Sequence, residues 1–239
     1  MNWKDINNTL VNFLQNFYNK NKNNSGDALY NLLINNKTFV ENNHWISKFE
    51  LPYGEKSVDP FHIFASIYNA NLSDSMVEKK IEVLFKTLSL KKVNVDTDFN
   101  GVPFLMPIKI LSSRKIETQK EIWTLFYEVY NKIEISNFEK YKNWFGIDLE
   151  ILSVFLFYIN PEKYMPLDKN SINLLRKFEI YTPKDFLEYT NINKKIEKYN
   201  IDNNLFMELY LISYLIVFKQ KTDNILSNNL IKFINSIKK

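Results

Sequence analysis

The chain has 239 residues, 45% of them hydrophobic and 15% aromatic, enough to bury a core in one large domain or two small lobes. Its net charge is +4, from 31 basic and 27 acidic residues, a balance that permits nucleic-acid binding without arguing for it. Cysteine is absent, which excludes disulfides, thiolate zinc sites, iron–sulfur clusters and cysteine nucleophiles.

With 4 glycines and 7 prolines the chain is too poor in turn residues for a sandwich or barrel, and its long stretches follow a 3.6-residue period. The expected class is all-α. The first helices fall near 4–19, with Ile6, Leu10, Phe13, Leu14 and Phe17 on one face, and near 27–35, separated by the polar turn NKNNSG. A third covers 38–49. Asp59 as N-cap and Pro60 at the first helical position open the helix FHIFASIYN, and 73–88 follows with Met76, Ile81, Leu84 and Phe85.

Residues 89–116 break the pattern. They hold two prolines, a glycine and no helical period, yet Phe99, Val102, Phe104, Leu105, Met106 and Ile108 argue for an ordered, packed connection. Two capping boxes follow, Thr118 with Glu121 and Ser136 with Glu139. Later helices run from Asp168 to about 178, from Thr182-Pro183, and near 203–219 and 222–237. The expected architecture is two helical lobes with residues 89–116 crossing between them. The only arginines, Arg114 and Arg176, are expected to be solvent-exposed.

Other classes fall away quickly. His44 and His62 have no partner at metal-ligand spacing, so neither a metal nor a cofactor is expected. MNWKDINNTL lacks a secretory apolar region. The longest apolar run, Leu205 to Phe218, is 14 residues and includes Glu208, which suits a buried helix better than a membrane span. A cytoplasmic protein with no membrane partner is expected.

One stretch reads as chemistry. Gly146 breaks the helix that begins at Ser136, and Asp148 can cap the next one, which runs to Asn160-Pro161. The amides at the start of a helix after so tight a turn can hold a phosphate, or the pair can be an ordinary helical hairpin. Asp168, 22 residues after Gly146, heads the helix KNSINLLRKF. An aspartate there is a typical cap, but its carboxylate can also stabilise a sugar oxocarbenium ion and orient water.

The stretch 136–176 resembles the helix-hairpin-helix DNA glycosylase superfamily, with Phe145-Gly146-Ile147-Asp148 in the place of the hairpin and Leu167-Asp168 in that of the catalytic aspartate. Phe145 stands where the family has proline and Asp148 where it has a second glycine, which weakens the phosphate clamp. Glu150 falls where lyase-competent members carry lysine, implying a monofunctional enzyme that leaves an abasic site.

A closer resemblance rests on Val58-Asp59-Pro60-Phe61-His62-Ile63-Phe64-Ala65, on Asp98-Phe99-Asn100-Gly101-Val102-Pro103-Phe104 and on Tyr164-Met165-Pro166-Leu167-Asp168-Lys169-Asn170. These are similar to motifs of a bacterial defence-associated family. Its domains begin McrB-like modification-dependent restriction ATPases and also stand alone, some as antiphage glycosylases acting on glucosylated hydroxymethylcytosine. No P-loop follows in this sequence, so an ATPase would be a separate polypeptide.

The resemblance implies one glycosylase-like domain over 1–239 and a partner in double-stranded, modified phage DNA. A host nuclease or abasic-site endonuclease would act downstream. Asp168 is the expected catalytic residue. Asn100 is expected to read the base edge, with Phe99 and Phe104 on one wall, Phe61 and Phe64 on another, and Tyr68, Asn69 and Trp45 nearby. Lys142, Asn143, Lys169 and Asn170 flank the hairpin and the aspartate, where phosphates would pass. The competing readings are a non-catalytic reader of the modified base that recruits a nuclease, and a helical interaction protein with no nucleic-acid role.

Overall fold

A computed structural model of the chain describes residues 3–48, 56–91, 102–104, 110–111, 114–135, 141, 144, 147–177, 179–198 and 210. The protein is predominantly helical, with no strand among the described residues. The all-α expectation holds. The chain divides into two compact units, residues 1–135 with 144–146, and residues 136–143 with 147–239. Of the connection 89–116, the described residues, 89–91, 102–104, 110–111 and 114–116, belong to the first unit.

The first unit is built on α1 (Trp3–Asn21), whose Ile6, Leu10 and Leu14 are fully buried, at the i, i+4, i+8 positions of one face. It packs against α2 (Ser25–Ile34) and α6 (Ile116–Tyr130). The third expected helix is shorter than its sequence pattern: α3 (Lys37–Asn42) stops at Asn43, and a 3-10 turn covers Ile46–Lys48. α4 (Pro60–Ile67) is buried at every position, and it packs on α5 (Asp74–Thr87) and α6. Met76 stands out of α5 at 52% exposure, so that helix turns Val77, Ile81, Leu84 and Phe85 inward instead.

In the second unit α7 (Leu149–Ile159) is buried from Leu152 through Ile159. α8 (Lys169–Lys177) and α9 (Phe186–Glu197) contribute Leu174, Leu175, Phe186, Tyr189, Ile192 and Ile196 to its core. No described helix is long and apolar enough to cross a membrane.

Helix ends explain several differences from the sequence reading. The Thr118/Glu121 capping box does not form, because α6 begins at Ile116 with Lys115 at its N-cap, and Glu121 accepts from Trp144 Nε1 at 2.8 Å instead. α9 starts three residues beyond Pro183, where Asp185 accepts from the Glu188 amide at 2.9 Å. The Ser136/Glu139 box and the two C-terminal helices lie outside the described residues, Tyr210 excepted.

In a chain this poor in glycine, left-handed stop positions fall to other residues. Ser89, Lys132 and Glu179 have φ of 54°, 57° and 57°, each just past a helix. At each, the following amide reaches five residues back: Leu90 to Phe85, Ile133 to Glu128, and Ile180 to Leu175. This is the Schellman closure, formed here without the glycine that favours it.

Candidate functional site

The segment Tyr164–Asp168 has no regular structure and is buried up to Leu167, so its peptide groups need partners. Side chains of α7 and α9 supply them. Ser153 Oγ accepts from the Leu167 amide at 2.7 Å while donating to Glu150 O at 2.6 Å. Asn193 Oδ1 accepts from the Met165 amide at 3.1 Å, and Tyr189 donates to Met165 O at 2.8 Å. Pro166, lying between them, has no N–H to satisfy. The chain therefore arrives at Asp168 on a pinned track.

Asp168 is half-buried and caps α8: its Oδ1 accepts from the Ser171 amide at 2.9 Å. Its Oδ2 accepts from the Tyr210 hydroxyl, also at 2.9 Å. Tyr210 is 2% exposed and leans on Phe157, ring centroids 5.5 Å apart. Burial pushes the Asp168 carboxyl above its ordinary value; the hydrogen bonds from Ser171, Tyr210 and Asn170 oppose that without cancelling it. Every donor on it is neutral.

Two more acids stand at the start of α7. Asp148 is the N-cap, accepting from the Ile151 amide at 2.9 Å, and Glu150 follows in the first turn. Glu150 is raised by partial burial and then by repulsion from Asp148 and Asp168. Among the described residues no group of three histidines or acids is placed to hold a metal.

The other expected site residues divide by unit. Lys169 is exposed and Asn170 half-buried in the first turn of α8, while Ile147 is buried beside the exposed Asp148. Asn100, Phe99, Lys142, Asn143, Phe145 and Gly146 lie outside the described residues, and with them the hairpin turn.

In the first unit Phe61, Phe64 and Tyr68 are fully buried, and the Tyr68 hydroxyl donates to Asn7 Oδ1 at 2.8 Å. These three are core residues, because α4 is covered on all sides, and they present no face to an extruded base. Phe104 is half-buried, edge-on to Tyr68 at 6.4 Å. Trp45 lies flat on His62 at 5.7 Å, and Asn69 Oδ1 accepts from the Asn71 amide at 2.9 Å.

Sequence reasoning missed a buried ionic cluster behind that stacked pair. Arg114 is 1% exposed, not solvated, and its Nη1 donates to Asp59 Oδ2 at 2.7 Å. Nη1 also lies 2.8 Å from His62 Nε2, and Nη2 donates to Ile110 O at 2.5 Å. Asp59 Oδ1 accepts from the Phe61 and His62 amides at 2.9 and 3.2 Å, and His62 Nδ1 accepts from the Asp59 amide, closing a capping box with histidine. Burial works to raise the Asp59 carboxyl, but Arg114 and then His62 outweigh it and hold it below its ordinary value. Arg176, by contrast, is exposed as expected.

The described residues form an all-helical protein in which Asp168 is a half-buried carboxylate bonded by neutral donors. A family model described as Domain of unknown function (DUF8425) matches residues 13–215, and the chain belongs to that family. No curated protein and no solved structure matches it.

Proposed function

We propose that the chain is a monofunctional DNA glycosylase that hydrolyses the N-glycosidic bond of a modified, cytosine-derived base and leaves an abasic site. The observation that carries the proposal is Asp168: a half-buried carboxylate, held at both oxygens by neutral donors, at the end of a segment fixed by three side chains. Breaking a glycosidic bond builds positive charge on the sugar, and a preplaced carboxylate stabilises that charge without reorganising. Its raised pKa also makes it a better acceptor for a proton of the attacking water.

The resemblance in residues 136–176 supplies the rest of the reading. It comprises a two-lobed helix-hairpin-helix frame and phosphate contacts around Lys169 and Asn170, while the resemblance of the motifs at 58–65, 98–104 and 164–170 to the defence-associated family suggests glucosylated hydroxymethylcytosine in phage DNA as the substrate class. Phe104, Trp45 and Asn69 are half-buried, whereas Phe61, Phe64 and Tyr68 serve the core.

The test is incubation with glucosyl-hydroxymethylcytosine phage DNA beside unmodified DNA, followed by abasic-site cleavage on a gel. Strand breaks confined to the modified DNA and lost in Asp168→Asn are expected. Base release that survives Asp168→Asn would remove this mechanism.

One observation favours the reader alternative. Asp148 and Glu150 put two carboxylates at the start of α7, where a phosphate clamp should be positive. Selective binding of modified DNA with no base release over hours would identify a reader that recruits a nuclease.

A further inference from the structure

Ser153 is fully buried on α7, and its hydroxyl is used in both directions. Its Oγ donates to Glu150 O, three residues back, at 2.6 Å and accepts from the Leu167 amide at 2.7 Å. The first bond alone would satisfy a serine inside a helix. With the proton committed to Glu150 O, a lone pair is left for Leu167, and that bond joins two parts of the chain.

The side chains that hold the segment before Asp168 are not equivalent. Tyr189 and Asn193 both come from α9 and both bond Met165. Ser153 comes from α7 and bonds Leu167, the residue next to Asp168. On its helix side it bonds the first turn of α7, the end that the DNA reading turns toward a phosphate. Leu167 is only 2% exposed, so its amide has no ready substitute in water once the hydroxyl is gone. The Leu167 position, and the aspartate after it, therefore depend on one oxygen atom.

We propose that Ser153 is a positioning residue for base release: by tying Leu167 to the first turn of α7, it sets where the Asp168 carboxylate stands relative to that turn. This role rests on the glycosylase reading and gives it its geometric precision. DNA held at the start of α7 would present its sugar to Asp168 at a spacing that Ser153 fixes. A misplacement of about 1 Å between carboxylate and sugar is enough to cost roughly a hundredfold in rate. Ser153 itself touches no substrate and acts through Leu167. The same bond keeps Asp168 half-buried, and burial is the main cause of its raised carboxyl. A slackened Leu167 would let water in and bring that carboxyl back toward its ordinary value.

The experiment uses the full chain and three substitutions at one position. Ser153→Ala removes both bonds, and Ser153→Cys keeps nearly the same shape but offers only a weak sulfur acceptor. Ser153→Thr keeps the oxygen in a geometry that helices allow. Ile196→Val, on α9, trims the core of the same unit and removes no hydrogen bond. Single-turnover base release and DNA affinity are measured beside a carbon NMR titration of the Asp168 carboxyl. The alanine and cysteine variants should release base about tenfold to a hundredfold more slowly, with affinity held within about twofold. Their Asp168 carboxyl should titrate lower than the parent's, whereas Ser153→Thr restores both and Ile196→Val changes neither. If Ser153→Thr does not fold, the alanine and cysteine variants against Ile196→Val decide alone. Parental rates in those two variants, an unmoved carboxyl, or an equal rate loss in Ile196→Val would overturn the role. Should the parent chain release no base, the glycosylase reading falls, and the titration still decides whether Ser153 holds Asp168 in place.

Discussion

Asp59 and Asp168 do the same local job at the starts of α4 and α8, and their surroundings make them opposites. Each follows a short non-helical approach, and each accepts from an amide of the first helical turn. Asp59 then meets a buried guanidinium and a histidine, and its carboxyl is held low. Asp168 meets only a phenol and amides, and burial wins. A cap that is electrically neutralised is held in its ionised form; one left short of positive charge is pushed toward its neutral form. The difference lies in what the rest of the chain brings to the second oxygen.

Removing the charge at each position should separate the two roles most sharply. Asp59→Asn keeps a capping side chain but strands Arg114 in the core, so urea denaturation should show a loss of about 3–5 kcal/mol. Asp168→Asn should leave stability nearly unchanged, since asparagine caps as well and the buried charge is relieved, while base excision falls roughly a hundredfold or more.

Acid sharpens the same contrast. Because the Asp59 carboxyl is depressed in the fold, its stabilisation is present above the ordinary aspartate range and disappears as pH drops through its lowered pKa. Asp168 is raised, so its ionised form is disfavoured by folding, and protonation between the ordinary and the raised value restores stability. Urea midpoints of both asparagine variants against pH should diverge from the parent in opposite directions.

A smaller effect comes from Tyr210. Tyr210→Phe removes a donor that favours the carboxylate, so the acid limb of the activity profile should move further up, with a rate loss of about tenfold or less. A carbon NMR titration of the Asp168 carboxyl would show the same rise without any turnover.

Asp148→Asn should act through charge alone: α7 keeps its cap, and DNA binding tightens about twofold to fivefold in a low-salt shift assay. Unchanged affinity would mean that no phosphate approaches α7. The smallest change gives the stability scale. Lys132→Gly, at φ 57°, should stabilise the fold by about 0.5–1 kcal/mol in the same urea assay.

Local signals carried much of the described helical fold. Asp59-Pro60 announced α4, and the apolar stripe of α1 placed Ile6, Leu10 and Leu14 in the core. Local signals also misled: Thr118 and Glu121 have the spacing of a capping box but sit inside α6, which already starts at Ile116 with Lys115 at its N-cap. The burial of Arg114 was not legible because Asp59 lies 55 residues away, and Tyr210, 42 residues from Asp168, was hidden for the same reason. His62 could have been found, since it stands three residues after a capping aspartate, where a nitrogen acceptor can close the box as well as a carboxylate does.

The pinned track into Asp168 also sets a clock. The amides of Met165 and Leu167 belong to no helix, yet each ends on a buried side chain anchored in one. In deuterium exchange they should behave as core positions, opening only when α9 or α7 opens, with Pro166 silent between them. A stretch that looks like a loop on paper would then be among the last parts of the second unit to let water in.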